Sequence, residues 1–200
     1  MTLPDVLYQT TPQWREIFWL SFGLWVIAEF WVGSRDRRVA SGERKDRGSM
    51  FLIVVSVWIG IGLAFAAPAA APWAHLALPP APLFWTAIVL IWIGELFRLW
   101  AVVTLGKFFR MQVHIQDEHK LVTSGPYRFL RHPSYTGGLL TVTGIGLAMG
   151  NWISVAGAFL CLFLAYCVRI LVEERALKAR FGEAFLAHKK RTWAVIPPLW

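Results

Sequence analysis

Long apolar runs alternate with short polar stretches along the chain, and those runs predict its elements. Five spans stand out, at about Ile17–Val32, Met50–Ala67, Leu83–Thr104, Tyr135–Met149 and Trp152–Leu171. A helix needs roughly 20 apolar residues to cross a bilayer, which leaves the fourth span short for a full crossing. Gly150-Asn151 suits a tight turn, so the fourth and fifth spans are expected to pair as a helical hairpin. After Glu174, the residues Ala176, Leu177, Phe181, Phe185 and Leu186 recur at helical spacing, which predicts an amphipathic helix near the cytoplasmic interface. The Ala- and Pro-rich stretch Ala66–Pro82 is expected to be an external loop with little regular structure. The fold expected is all-α: a polytopic membrane protein of about five transmembrane helices, the last two a hairpin, with an amphipathic C-terminal helix. No internal repeat interrupts this order. Residues 1–105 hold the first three spans and residues 106–200 hold the polar motifs, in one integrated domain.

Composition supports the membrane reading. Of 200 residues, 56% are hydrophobic and only 16% charged, whereas soluble domains carry about 25% charged residues. The net charge of +8 follows from basic loops beside anionic headgroups, and neither it nor any motif calls for nucleic acid. Arg35, Arg37, Arg38, Arg44, Lys45 and Arg47 crowd the first loop, and Lys107, Arg110, Lys120, Arg128 and Arg131 the third. The second loop and the hairpin turn hold no Lys or Arg. The tail after Leu171 is basic again. The positive-inside rule then puts the first and third loops and the C-terminus in the cytoplasm, with the N-terminus outside. Trp14, Trp19, Trp31, Trp73, Trp152, Trp193 and Trp200 fall near span ends, as interfacial anchors do. The first residues lack Lys and Arg, so no cleavable signal peptide is expected. Cys161 and Cys167 are six apart on one helix, do not share a face, and read as small packing residues.

Chemistry-bearing residues gather in two places. The first is the third loop, above all His119–Gly138, reading HKLVTSGPYRFLRHPSYTGG. Gly125-Pro126 marks a turn there, and Pro133 suits the first turn of the fourth span. A helix starting at that point faces the cytoplasm with free N–H groups and a positive dipole end, where a carboxylate can sit. The other reading is that Arg128, Arg131 and His132 anchor the loop to headgroups. The second place is Arg169–Glu174, reading RILVEE, where Arg169 and Glu173 share a helix face. Arg169 ends an apolar run, where a charge is expensive and marks function, or it snorkels to the interface. The hairpin returns this cluster to the side of His132. Glu95 and Arg98, three apart in the third span, are expected to pair with each other, and with Glu29 to play structural roles. His114, His119, His132 and His188 lack any metal-site spacing, so no metal is expected.

LVTSGPYRFLRHPSYTGG, then RILVEERAL, FGEAF and a late IPPLW, resemble the isoprenylcysteine carboxyl methyltransferase family across about Gly106–Pro198. The resemblance implies an integral membrane enzyme that uses S-adenosylmethionine, with residues 106–200 as the catalytic region. It implies a cofactor pocket lined by Gln116, His119, Lys120, Leu121, Val122, Tyr127, His132, Pro133, Ser134, Tyr135 and Glu173, with Glu173 toward the ribose hydroxyls. It implies that Arg169 is the catalytic arginine that faces and binds the methyl acceptor. The acceptor implied is a prenylated cysteine carboxylate or similar lipid-like group that enters from the bilayer, with membrane lipids as further partners, at an active site facing the cytoplasm. The alternatives are a membrane methyltransferase of a phospholipid amine or small thiol, and a non-catalytic transporter or assembly factor.

Overall fold

The computed structural model describes residues 6–37, 48–106 and 121–198. Among the described residues six α-helices follow in order: α1 Pro12–Arg37, α2 Ser49–Ala70, α3 Pro80–Leu105, α4 Pro133–Ala148, α5 Trp152–Phe181 and α6 Glu183–Lys189. Four of them, α1, α2, α3 and α5, are long and apolar enough to cross a membrane. At 1.5 Å per residue the 16 residues of α4 reach about 24 Å, less than the roughly 30 Å hydrocarbon core. The chain is an all-α integral membrane protein. Its outward face is apolar, with Ile27, Phe30, Trp58, Leu96, Leu164 and Leu171 all exposed, a surface suited to lipid rather than water.

Lipid is as apolar as the side chains it touches, so close fit rather than burial from water holds such helices together. The sequence supplies small residues where α3 meets α4. A Cβ on Gly137 would fall 2.5 Å from the Gly94 carbonyl oxygen, and one on Gly144 would fall 2.7 Å from the Ala87 oxygen. Thr141, fully buried, bonds back to Gly137 O at 3.1 Å. α5 packs between α2 and α4. Ser154 Oγ donates to Ala64 O at 2.7 Å, and a Cβ on Gly146 would meet Ser154 O at 2.7 Å. α1 lies on α3, with Trp14 stacked on Phe84 at 4.6 Å and Trp92 Nε1 donating to Ser21 Oγ at 3.1 Å.

The hairpin forms where the sequence puts it. Gly150 adopts φ +69°, a conformation that favours glycine. Asn151 caps α5 by accepting from Ile153 N at 2.9 Å and Ser154 N at 3.3 Å, and donates to Ala71 O at 2.9 Å. The stretch Ala66–Pro82 departs from expectation. α2 runs on through Pro68 to Ala70, and α3 begins at Pro80. The short link between them is docked, with Leu76 N bonded to Gly150 O at 2.8 Å and Ala71, Ala74 and Leu76 buried. The tail also differs in detail. α5 continues to Phe181, where Gly182 breaks it, so most of the expected amphipathic helix is an extension of α5, with α6 carrying the remainder.

Candidate functional site

The C-terminal ends of α1, α3 and α5 and the N-terminal ends of α2 and α4 share one end of the bundle, and the polar residues collect there. The GPY segment forms the 3-10 turn Gly125–Arg128. Tyr127 is buried, its hydroxyl donating to Ala101 O of α3 at 3.4 Å. Burial and the Glu173 carboxylate push that phenol above its ordinary pKa, against Arg98, so it stays neutral. Leu121 and Val122 are half-buried ahead of the turn. Gln116, His119 and Lys120 lie outside the described residues.

A short parallel pairing with the tail then delivers the chain to α4. Arg131 N bonds to Trp193 O at 2.8 Å, His132 N to Ala194 O at 3.0 Å, and Trp193 N to Phe129 O at 3.1 Å. Thr136 Oγ1 donates to Val195 O at 2.7 Å. Ala194 and Val195 are fully buried, so the tail is part of the wall behind His132. Pro133 opens α4 without an N–H to satisfy.

Four of the expected residues meet. Glu173 of α5 accepts from Tyr135 Oη at 2.6 Å and from Arg169 Nε at 2.8 Å, and its Oε2 lies 3.3 Å from His132 Nδ1. The rings of His132 and Tyr135 stack at 5.5 Å, and Tyr135 stacks on Tyr166 at 4.3 Å. Arg169 is 1% exposed, and its Nη1 donates to Ser49 Oγ at the start of α2 at 2.8 Å. It is an inward-facing ion-pair member rather than a snorkelling side chain. Beside it, Glu174 accepts from Arg131 Nε at 2.7 Å and from Lys189 Nζ at 2.5 Å. His132 Nε2 lies 3.5 Å from Glu174 Oε1 without a hydrogen bond, and is buried and unpartnered among the described residues. Burial opposes a charge on His132, but the Glu173 and Glu174 carboxylates close to its ring outweigh it, so the imidazole is raised above its ordinary pKa.

Ser134 turns to a second cluster. Arg98 Nη1 donates to Ser134 Oγ at 2.8 Å, while its Nε and Nη2 bond both oxygens of Glu29 on α1, at 2.5 and 2.8 Å. This corrects the expected Glu95–Arg98 pair. Glu29 meets the guanidinium fork with both carboxylate oxygens, and such a two-bond pairing is stronger than a single contact. Neither Glu95 carboxyl oxygen has a hydrogen-bond partner among the described residues, and Glu95 is 5% exposed. Arg98, Arg131, Glu174 and Ser49 are not given site positions by the sequence. The adjacent Arg131-His132 and Glu173-Glu174 were the signal for two of them; the others depend on pairing between distant segments. Among the described residues no group of three or more His, Cys, Asp or Glu is placed to hold a metal.

Known proteins are similar to this chain in sequence and in fold. The family described as isoprenylcysteine carboxyl methyltransferase matches residues 86–179. A rice protein described as a probable protein-S-isoprenylcysteine O-methyltransferase is 34% identical over 115 residues, 56% of this chain and 60% of that protein. The human protein-S-isoprenylcysteine O-methyltransferase is 34% identical over 114 residues, 56% of this chain and 40% of that one. The chain thus spans less than two thirds of the length of these relatives. A solved structure of the eukaryotic intramembrane Ras methyltransferase, isoprenylcysteine carboxyl methyltransferase, is similar with a TM-score of 0.56 at 25% identity, over 74% of this chain and 52% of that one.

Proposed function

We propose, from the premise that residues 86–179 are of the isoprenylcysteine carboxyl methyltransferase family, that this protein is a membrane methyltransferase. It transfers a methyl group from S-adenosylmethionine to a lipid-tailed carboxylate, of which a prenylated cysteine is the reference class. The observation that carries the reading is the convergence of His132, Tyr135, Arg169 and Glu173, from α4 and α5, within contacts of 2.6 to 3.4 Å.

The donor set suits the cofactor. Glu173 Oε2 makes the looser of the carboxylate's contacts and retains capacity to accept from ribose hydroxyls. The unpartnered His132 Nε2 and the dipole at the start of α4 favour an anionic group such as the amino-acid carboxylate. Gln116, His119, Lys120, Leu121, Val122 and Tyr127 complete the proposed pocket from the third loop. The cofactor, when bound, supplies an electrophilic methyl group on a sulfonium.

The acceptor carboxylate is already ionised near neutral pH, so the chain need not remove a proton. Its task is proximity and orientation. Arg169 is the residue proposed to hold the acceptor carboxylate, since its fork matches that geometry better than lysine does. A cytoplasmic site and C-terminus follow from the loop charges. Calorimetry in detergent tests the first step. Wild type is expected to bind S-adenosylmethionine, with weaker binding in Glu173→Ala and His132→Ala. A wild type that does not bind it overturns the reading.

A further inference from the structure

The Glu29–Arg98 pair stands outside the sequence motifs. Arg98 is 9% exposed inside an apolar helix. Its Nε and Nη2 go to the two oxygens of Glu29, and its Nη1 to Ser134 Oγ at 2.8 Å and Ser134 O at 3.3 Å. All three guanidinium nitrogens are therefore engaged, two on α1 and one on the first turn of α4. One turn further, a Cβ on Gly137 would fall 2.7 Å from Arg98 N, so the backbones touch there as well. Ser134 is followed by Tyr135, which reaches Glu173 on α5. The step Ser134–Tyr135 is gripped from both sides, by Arg98 of α3 and by Glu173 of α5.

We infer that Arg98, with Glu29 as its counter-ion, is a positioning residue that fixes the first turn of α4, so that His132 and Tyr135 face Glu173 in the geometry methyl transfer needs. The inference rests on the methyl-transfer reading of that site. Cohesion alone does not account for the pair. Replacing a buried ion pair by apolar residues of like volume is often neutral or stabilising, and intramembrane charges are costly and tend to be functional. An apolar contact lacks direction. The planar fork holds one carboxylate and one serine in fixed relation, and so sets the rotation of α4 about its axis.

The test compares wild type with the double variant Glu29→Leu/Arg98→Met and with Arg98→Lys. Lysine keeps a charge near Glu29 but loses the fork that reaches Ser134. Three quantities are read in detergent: thermal melting, the midpoint of the His132 ring titration by NMR, and kcat and KM with S-adenosylmethionine and a farnesylated cysteine analogue. Both variants are expected to melt close to wild type. Both are expected to show a His132 midpoint moved down toward the ordinary imidazole value, as its contact with Glu173 loosens, and kcat is expected to fall about tenfold or more, with a smaller change in KM for the acceptor. A folded Arg98→Lys variant with the His132 midpoint and kcat of wild type overturns the inference, even if the double variant fails to fold. If wild type transfers no methyl group, the functional reading fails on its own, and the His132 midpoint still reports whether Arg98 sets the turn.

Discussion

Glu173→Gln probes the centre of the site with the smallest change in shape. The carboxylate accepts from Tyr135 Oη at 2.6 Å and from Arg169 Nε at 2.8 Å, and lies 3.3 Å from His132. Glutamine keeps one accepting oxygen and sets an NH2 against groups that are themselves donors. Removing one partner of a buried pair costs about 3–5 kcal/mol. The Glu173 side chain is 20% exposed against 1% for Arg169, so water offsets part of the loss, and we expect about 2–4 kcal/mol. For a protein of this length that lowers the melting temperature by about 4–16 °C. The pH dependence has a definite sign. His132 has a folded pKa above its unfolded value, so its contribution is full below the ordinary imidazole value of about 6.5 and is lost as pH rises through the raised folded value. With one of its two carboxylates gone, His132 contributes less, and the fall in stability from mildly acidic to mildly alkaline pH flattens. Thermal melting in detergent across that range is the assay. A Glu173→Gln protein that melts with wild type, at the same slope against pH, refutes the reasoning.

Gly137→Ala is expected to destabilise by about 1–3 kcal/mol through overpacking and to weaken S-adenosylmethionine binding in calorimetry, because the new Cβ meets Gly94 O and the Arg98 backbone. Asn151→Ala removes the cap of α5 and leaves the Ala71 carbonyl without its donor, at about 2–4 kcal/mol in chemical denaturation. That site is at the far end of the bundle, so cofactor affinity at a temperature where the variant is folded should match wild type. Glu95→Leu removes a buried carboxyl that has no partner among the described residues and is expected to raise the melting temperature, since an unsatisfied buried polar group costs about 1–3 kcal/mol; a fall in melting temperature would assign Glu95 a partner.

The helices were legible because apolar runs register as helices whatever they pack against, and because Gly150-Asn151 punctuates the hairpin. Pro68 misled at the end of α2. Proline suggests a break, but there the helix runs two residues beyond it. Half of the site was legible for a local reason: Arg169 and Glu173 are four apart on α5, and His132 and Tyr135 are three apart across the start of α4. The family resemblance gave those residues their proposed roles. The pairing of Arg98 was not legible, because a guanidinium chooses among carboxylates by geometry. Glu95 is the neighbour in sequence, whereas Glu29 on another helix can meet both nitrogens. The docking of Trp193–Val195 along Phe129–His132 is likewise a long-range pairing with no periodic signature.

The central claim is that the two clusters form a site for carboxyl methylation at the membrane. Transfer of radiolabelled methyl from S-adenosylmethionine, measured with purified protein and farnesylated cysteine bearing a free carboxylate, tests it most directly. Wild type is expected to form a base-labile methyl ester and to form none when the acceptor is already esterified, and Arg169→Ala is expected to lose the activity. No labelled ester from the free carboxylate, with a folded wild-type protein that binds the cofactor, would contradict it.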